Sequence, residues 1–198
     1  MKQIWGLTHF GFPDWLGDIV SNVQEFACRF ADYAVHALQV IEKHQEDGDI
    51  WIIPFNEVSF LAWIAGDEGT WMPFLRGRGL EFKLALYRAC IAGLAAMRQE
   101  CRRVKFMHTD PLMYRIARNP SDPRALEWVE IFNQGKYEWF DMLIGRSLPE
   151  LGGCSDHIDA IALNYYSHNQ QDVFPCSDSP SGYRAERMPL RDHRRVQN

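Results

Sequence analysis

Four short runs concentrate apolar residues as strands do: Ile4–Phe10 (IWGLTHF), Ile50–Phe55 (IWIIPF), Val104–Thr109 (VKFMHT) and Ile158–Tyr165 (IDAIALNY). The middle two are short and apolar, the pattern of strands buried on both faces. Between the runs the spacing becomes helical. From Val20 to Ile41, a stripe of Val23, Phe26, Phe30, Tyr33, Ala34, Ala37, Leu38 and Ile41 recurs, with Ser21 or Asn22 placed to cap it. A second stripe, Phe82, Leu86, Ala89, Cys90, Leu94 and Met97, predicts a helix over Leu80–Cys101. A third pattern covers Pro123–Leu143 and breaks near Gly135.

Strands alternating with helices predict βαβ units and a parallel sheet. Loops rich in Gly, Pro and aromatic residues follow the strands, at Gly11–Gly17 and Val58–Gly79. In α/β folds those loops hold the chemistry. No Gly-x-Gly-x-x-Gly and no Gly-x-x-x-x-Gly-Lys follows a strand, so a nucleotide-binding fold is the weaker choice.

A complete (β/α)8 barrel takes about 250 residues. The 198 residues here accommodate about four βα units, so the expected fold is α/β, a partial (β/α)8 barrel. Residues 1–171 form that domain in this reading, and 172–198, rich in Ser, Pro, Asp and Arg, form an irregular tail. The chain reads as cut at both ends.

Composition narrows the partners. With 21 Lys and Arg against 26 Asp and Glu, the net charge is -5, and no basic stripe exists to neutralise nucleic-acid phosphates or an anionic membrane. The basic run Arg184–Arg195 reads as a solvated stretch of the tail. No apolar run is long enough to span a bilayer, and Met1–Trp5 lacks the features of a signal peptide. Five cysteines without a Cys-x-x-Cys suggest a reducing cytoplasm. Aromatic residues reach 13%, which suits clefts that hold flat apolar ligand faces such as sugar rings, although a given Trp is more often core.

The sharpest local signal is Asn56-Glu57 directly after IWIIPF. It places a carboxyl at the rim of the sheet, where partial burial raises a pKa and suits a general acid for glycoside cleavage. The bland alternative is a helix cap. His9 ends the first strand, His108 and Asp110 the third, and Asn164, Tyr165, Tyr166 and His168 the fourth. Each His taken alone is more often structural. Together the strand ends predict one polar pocket with aromatic walls.

The ordered set THFGFPDWL, FADYA, WIIPFNE and IALNYY resembles the family 1 glycoside hydrolases, the β-glucosidase-like members of the retaining (β/α)8 clan. In that family a His-Trp closes the third strand, the acid/base follows the fourth in TFNEP, and an Asn-Tyr-Tyr closes the sixth. The resemblance covers about residues 4 to 170. It implies Glu57 as general acid/base on a β-glucoside or β-galactoside, Asn56 on the sugar 2-hydroxyl, His9 near the 3-hydroxyl, and Tyr165 or Tyr166 facing a nucleophile. It implies no cofactor.

Departures are plain. Phe10 stands where the family has Trp, Val58 where it has Pro, and His108–Pro111 has no counterpart. No Thr-Glu-Asn-Gly-like segment for the nucleophile follows Tyr166. Retaining cleavage needs two carboxyls about 5 Å apart and inverting cleavage about 6.5–9.5 Å. Asp110 is the local substitute, and a turn-starting Asp before Pro is its bland role.

Three readings stay open: a glycosidase, a non-catalytic fragment of one, and a metal-dependent hydrolase with His9, His108, Asp110 and His168 as zinc ligands. A half-barrel leaves sheet edges open, which favours self-association.

Overall fold

A computed structural model describes residues 3–179 and 182–188. The chain forms two compact units, one from the chain up to Asp110 with Trp139–Leu163, the other from Pro111–Glu138 with the chain from Asn164 onward.

The first unit is built on a parallel sheet of β1 (Ile4–Thr8), β2 (Ile50–Phe55), β3 (Val104–Pro111) and β5 (Ala160–Asn164), in the order β1-β2-β3-β5. Ile4 pairs with Trp51, and Ile50 with Val104. Strand alternation sorts the faces. Ile50, Ile52, Val104 and Phe106 are buried beneath helices, while their neighbours Trp51, Ile53, Lys105 and Met107 are half-buried. Each fully buried aliphatic or aromatic side chain contributes about 1.5–3 kcal/mol.

Helices α1 (Val23–His44) and α3 (Gly79–Glu100) pack side by side on that core. Of the predicted stripe of α1, Phe26, Phe30, Ala34, Leu38 and Ile41 are buried, Val23 and Ala37 are half-buried, and Tyr33 is exposed, its hydroxyl donating to the Leu7 carbonyl. Asn22 holds the N-cap position without a side-chain cap, and Asp18 instead accepts the Val20 and Ser21 amides. Trp139, Phe140, Met142 and Leu143 of α5 (Glu138–Leu143) complete the buried layer. The stretch Val58–Gly79, expected as a loop, starts with a single helical turn, α2 (Val58–Leu61), that continues as a π-helical Ala62–Asp67.

The second unit contains β4 (Tyr114–Ala117), α4 (Pro123–Gly135), β6 (Gln170–Pro175) and β7 (Tyr183–Arg187). β4 pairs in parallel with β6, and β6 antiparallel with β7. Arg115 is clamped here, its guanidinium 4.7 Å from the Trp128 ring centroid and 3.4 Å from that of Phe132, with Nε donating to Gln171.

This corrects the expected irregular tail. The boundary at 171/172 falls inside β6, and Arg184 and Arg187 of the basic run lie on β7. Of QQDVFP only Val173 is buried, so these strands are held by backbone pairing and carry little hydrophobic pattern. The rest of the tail, from residue 189, lies outside the described residues. Among the described residues no helix is long and apolar enough to cross a membrane.

Candidate active site

Asn56 and Glu57 sit where three strands end together. The Asn56 amide donates to the Thr8 carbonyl at 3.0 Å, and the Glu57 amide to the Thr109 carbonyl at 3.1 Å. Asn56 also forms a parallel bridge with Thr109. Glu57 adopts the left-handed conformation, φ 51° and ψ 58°, which side chains other than Gly, Asn and Asp seldom take. It occupies the N-cap position of α2, yet its side chain makes no capping bond. The capping alternative therefore accounts for its place in the chain and not for its carboxyl. Glu57 is 7% exposed.

Behind it stands Asp110, 1% exposed. Its Oδ1 accepts the Ser59 amide at 2.9 Å, and its Oδ2 has no hydrogen-bond partner. Burial pushes this carboxyl up to about 7, with the charge of Glu57 adding to the rise and Ser59 and Lys83 opposing it. Lys83 of α3 is itself buried. Neither Ser59 nor Lys83 stood out in the sequence. The signal available for Lys83 was its place within the apolar run Phe82–Leu86, on a helix two faces of which are buried.

His108 is fully buried on the same face of β3 as Phe106. One ring nitrogen, Nε2, lies 3.0 Å from the His157 carbonyl, and the ring meets Trp139 edge-on at 6.2 Å. Burial pulls its pKa down to about 4, so the ring is neutral and Nε2 donates. It has no surface that a substrate could touch, which corrects its expected place on the rim. Alternation along Val104, Phe106, His108 and Asp110 was the legible sign of this.

His9 is exposed just beyond β1 and lines a cavity of about 320 Å³ with Phe12, Trp15, Phe30 and Tyr33. Glu57 does not line that cavity. An aromatic cluster is centred on Phe60, three residues after Glu57. Phe60 of α2 meets Phe10 at 5.7 Å and Trp71 at 5.5 Å, and Trp63 at 5.9 Å. Trp63 is 50% and Trp71 39% exposed.

Asn164, Tyr165, Tyr166 and His168 belong to the second unit. There the Asn164 carbonyl accepts from the Leu112 amide and from Asn169 Nδ2. Tyr165 and Tyr166 are exposed, and Tyr166 stacks on His168 at 5.6 Å. Among the described residues no three His, Cys, Asp or Glu side chains are grouped to hold a metal ion, which removes the expected alternative of His9, His108, Asp110 and His168 as ligands.

No protein-family model matches the chain, and no curated protein sequence matches it. Solved structures do. A family 1 β-glucosidase from Thermotoga maritima in complex with isofagomine lactam superposes with a TM-score of 0.71 at 17% identity, over 93% of this chain and 45% of that one. The same organism's β-glucosidase in complex with glucoimidazole gives 0.71 at 18%, over 96% and 46%. The AHE enzyme from Alicyclobacillus herbarius gives 0.71 at 18%, over 93% and 46%. The chain is thus similar in fold to family 1 glycoside hydrolases along most of its own length, and it spans less than half of theirs. A partial (β/α)8 barrel is the architecture.

Proposed function

We propose that this chain carries the acid/base side of a β-glycoside-cleaving site, with Glu57 as general acid/base. The observation that supports this most is the setting of Glu57. Its backbone is stitched between the ends of β2 and β3 in a conformation that few side chains tolerate, and its carboxyl is not used as a cap. The fold of β-glucosidases and the exposed rings of Trp63 and Trp71, in the segment that follows Glu57, add to the reading. A β-glucoside or β-galactoside is the substrate class, and Asn56 and His9 meet its hydroxyls. All five cysteines are free, which supports a reducing compartment such as the cytoplasm. The exposed Ile4, Ile161 and Leu163 on the edge strands support self-association.

A second reading, sugar binding without turnover, is favoured by Asp110. A retaining nucleophile must be ionised and open to the sugar. Asp110 is buried, tied to Ser59, and half-protonated near neutral pH. Hydrolysis of a panel of aryl β-glycosides by the purified chain, beside Glu57→Gln, separates the two. Activity abolished by the substitution supports the acid/base. Activity untouched by it refutes the assignment. No activity in a folded chain whose tryptophan fluorescence still responds to a glycoside supports binding alone.

A further inference from the structure

The buried groups behind Glu57 have a use that the proposed reading leaves open. Two adjacent residues of β3 grip the turn that contains Glu57, one on each side. Thr109 holds the Glu57 amide through its carbonyl, and Asp110 holds the Ser59 amide through its carboxyl. The turn is closed by the Leu61 amide, which donates to the Glu57 carbonyl at 2.8 Å. A left-handed Glu persists only where its surroundings hold it there.

Asp110 is suited to that task and to little else. At 1% exposure it cannot meet a substrate. A carboxyl taken out of water needs a return for its burial, and the bond that accounts for it here comes from the Ser59 amide. Three groups act on it from the elements packed around it: Ser59 from α2, Lys83 from α3 and Glu57 from the end of β2. Lys83 favours the ionised form and Glu57 disfavours it. A carboxylate accepts more strongly than a carboxylic acid, so the grip on Ser59 tightens as Asp110 ionises.

We propose that Asp110 is a positioning residue: by holding the Ser59 amide, its buried carboxyl fixes the turn at Glu57 and with it the direction of the Glu57 side chain. The proposal rests on the reading of Glu57 as acid/base, and its main readouts need no turnover.

The experiment uses the full chain with Asp110→Ala, which removes the acceptor, and Asp110→Asn, which keeps an acceptor oxygen without the charge. Amide exchange at Ser59 is expected to quicken roughly 10- to 100-fold in Asp110→Ala. It should change little in Asp110→Asn, with the Ile52 and Phe106 amides unaltered in both. The Ser59 amide shift should titrate in the wild type and stay flat in Asp110→Asn. On an aryl β-glucoside, Asp110→Ala should lower kcat by roughly the same factor with KM little changed, and Asp110→Asn should restore most of it.

A Ser59 amide as protected in Asp110→Ala as in the wild type overturns the proposal. So does a wild-type Ser59 shift that ignores pH. If Asp110→Ala fails to fold, the titrations of wild type and Asp110→Asn decide. An inactive wild-type chain counts against the acid/base reading, and the Ser59 measurements then judge Asp110 on their own.

Discussion

Phe30 of α1 lies so close to Gly93 of α3 that a Cβ at position 93 would stand 2.7 Å from Phe30 Cε1 and 3.0 Å from Cδ1. The same ring stacks on Phe55 at 4.3 Å, one residue before Asn56. The packing of the two long helices therefore bears on the strand end that carries the candidate site. Phe30 is 6% exposed and has little room to yield. Gly93→Ala gains about 1 kcal/mol of helix propensity, and the overpacking it causes costs about 1–3 kcal/mol. Because the clash is with a ring held on another side, a net loss is expected. It is read as a lower urea midpoint at unchanged slope.

Two groups on one face of β3 give opposite pH dependences. Asp110 in the folded chain keeps its proton up to about 7, whereas an unfolded Asp loses it near 4. The native state holds the extra proton, so this share of stability is complete below about pH 4 and is lost as pH rises through 7. His108, held near 4 by burial, behaves the other way. Its share is complete above about pH 6.5 and is lost as pH falls through 4, because the unfolded ring takes the proton first. The slopes nearly cancel in the wild type between those limits. Asp110→Asn should show stability rising with pH from about 4 to 6.5, and His108→Gln stability falling over the same interval. Urea midpoints across that range check both, and flat profiles in both variants would contradict the assignment.

If Glu57 protonates the leaving oxygen, the penalty for removing it depends on how much that oxygen needs the proton. Glu57→Gln should lower kcat/KM roughly 10²- to 10⁴-fold for an alkyl β-glucoside. A dinitrophenyl β-glucoside, whose leaving group departs unaided, should lose far less. Equal losses on both substrates would mean that the side chain does something other than donate a proton.

Asp122 ties α4 to β7. Its Oδ1 accepts the Arg124 and Ala125 amides at 3.1 and 3.2 Å, and Tyr183 donates its hydroxyl to the same carboxylate. Asp122→Ala should cost about 0.5–2 kcal/mol through the lost cap, and amide exchange should quicken first at Ala125. Asp122→Asn, which can still accept both amides, should lose less.

Much of the first unit was legible from spacing alone. IWIIPF is β2 from end to end, and five residues of the predicted stripe, Phe26, Phe30, Ala34, Leu38 and Ile41, are buried on α1, because a two-layer fold writes its burial into sequence period. The break at Gly135 separates α4 from α5 as the pattern implied. The strands β4, β6 and β7 were not legible. YRIA, QQDVFP and YRAER bury almost nothing, and their pairing is a property of backbone groups that every residue shares. At the site, strand ends located Asn56 and Glu57. Lying at a strand end did not by itself tell which side chains point outward, whereas strand alternation did for His108 and Asp110. His108 and Asp110 alternate with Lys105 and Met107, and so turn under the helices with Phe106. His9 is placed by a loop, where alternation has no hold.

The left-handed backbone at Glu57 sets two selections against each other at a single codon. Gly or Asn would relieve the turn, since either tolerates φ 51° better than Glu does. A library of this chain sorted for heat resistance should therefore enrich Gly and Asn at position 57. The same library sorted for glycoside turnover should return Glu. A Glu that costs heat resistance and is nevertheless kept under the second sorting would mark position 57, without any bound sugar, as one selected for turnover.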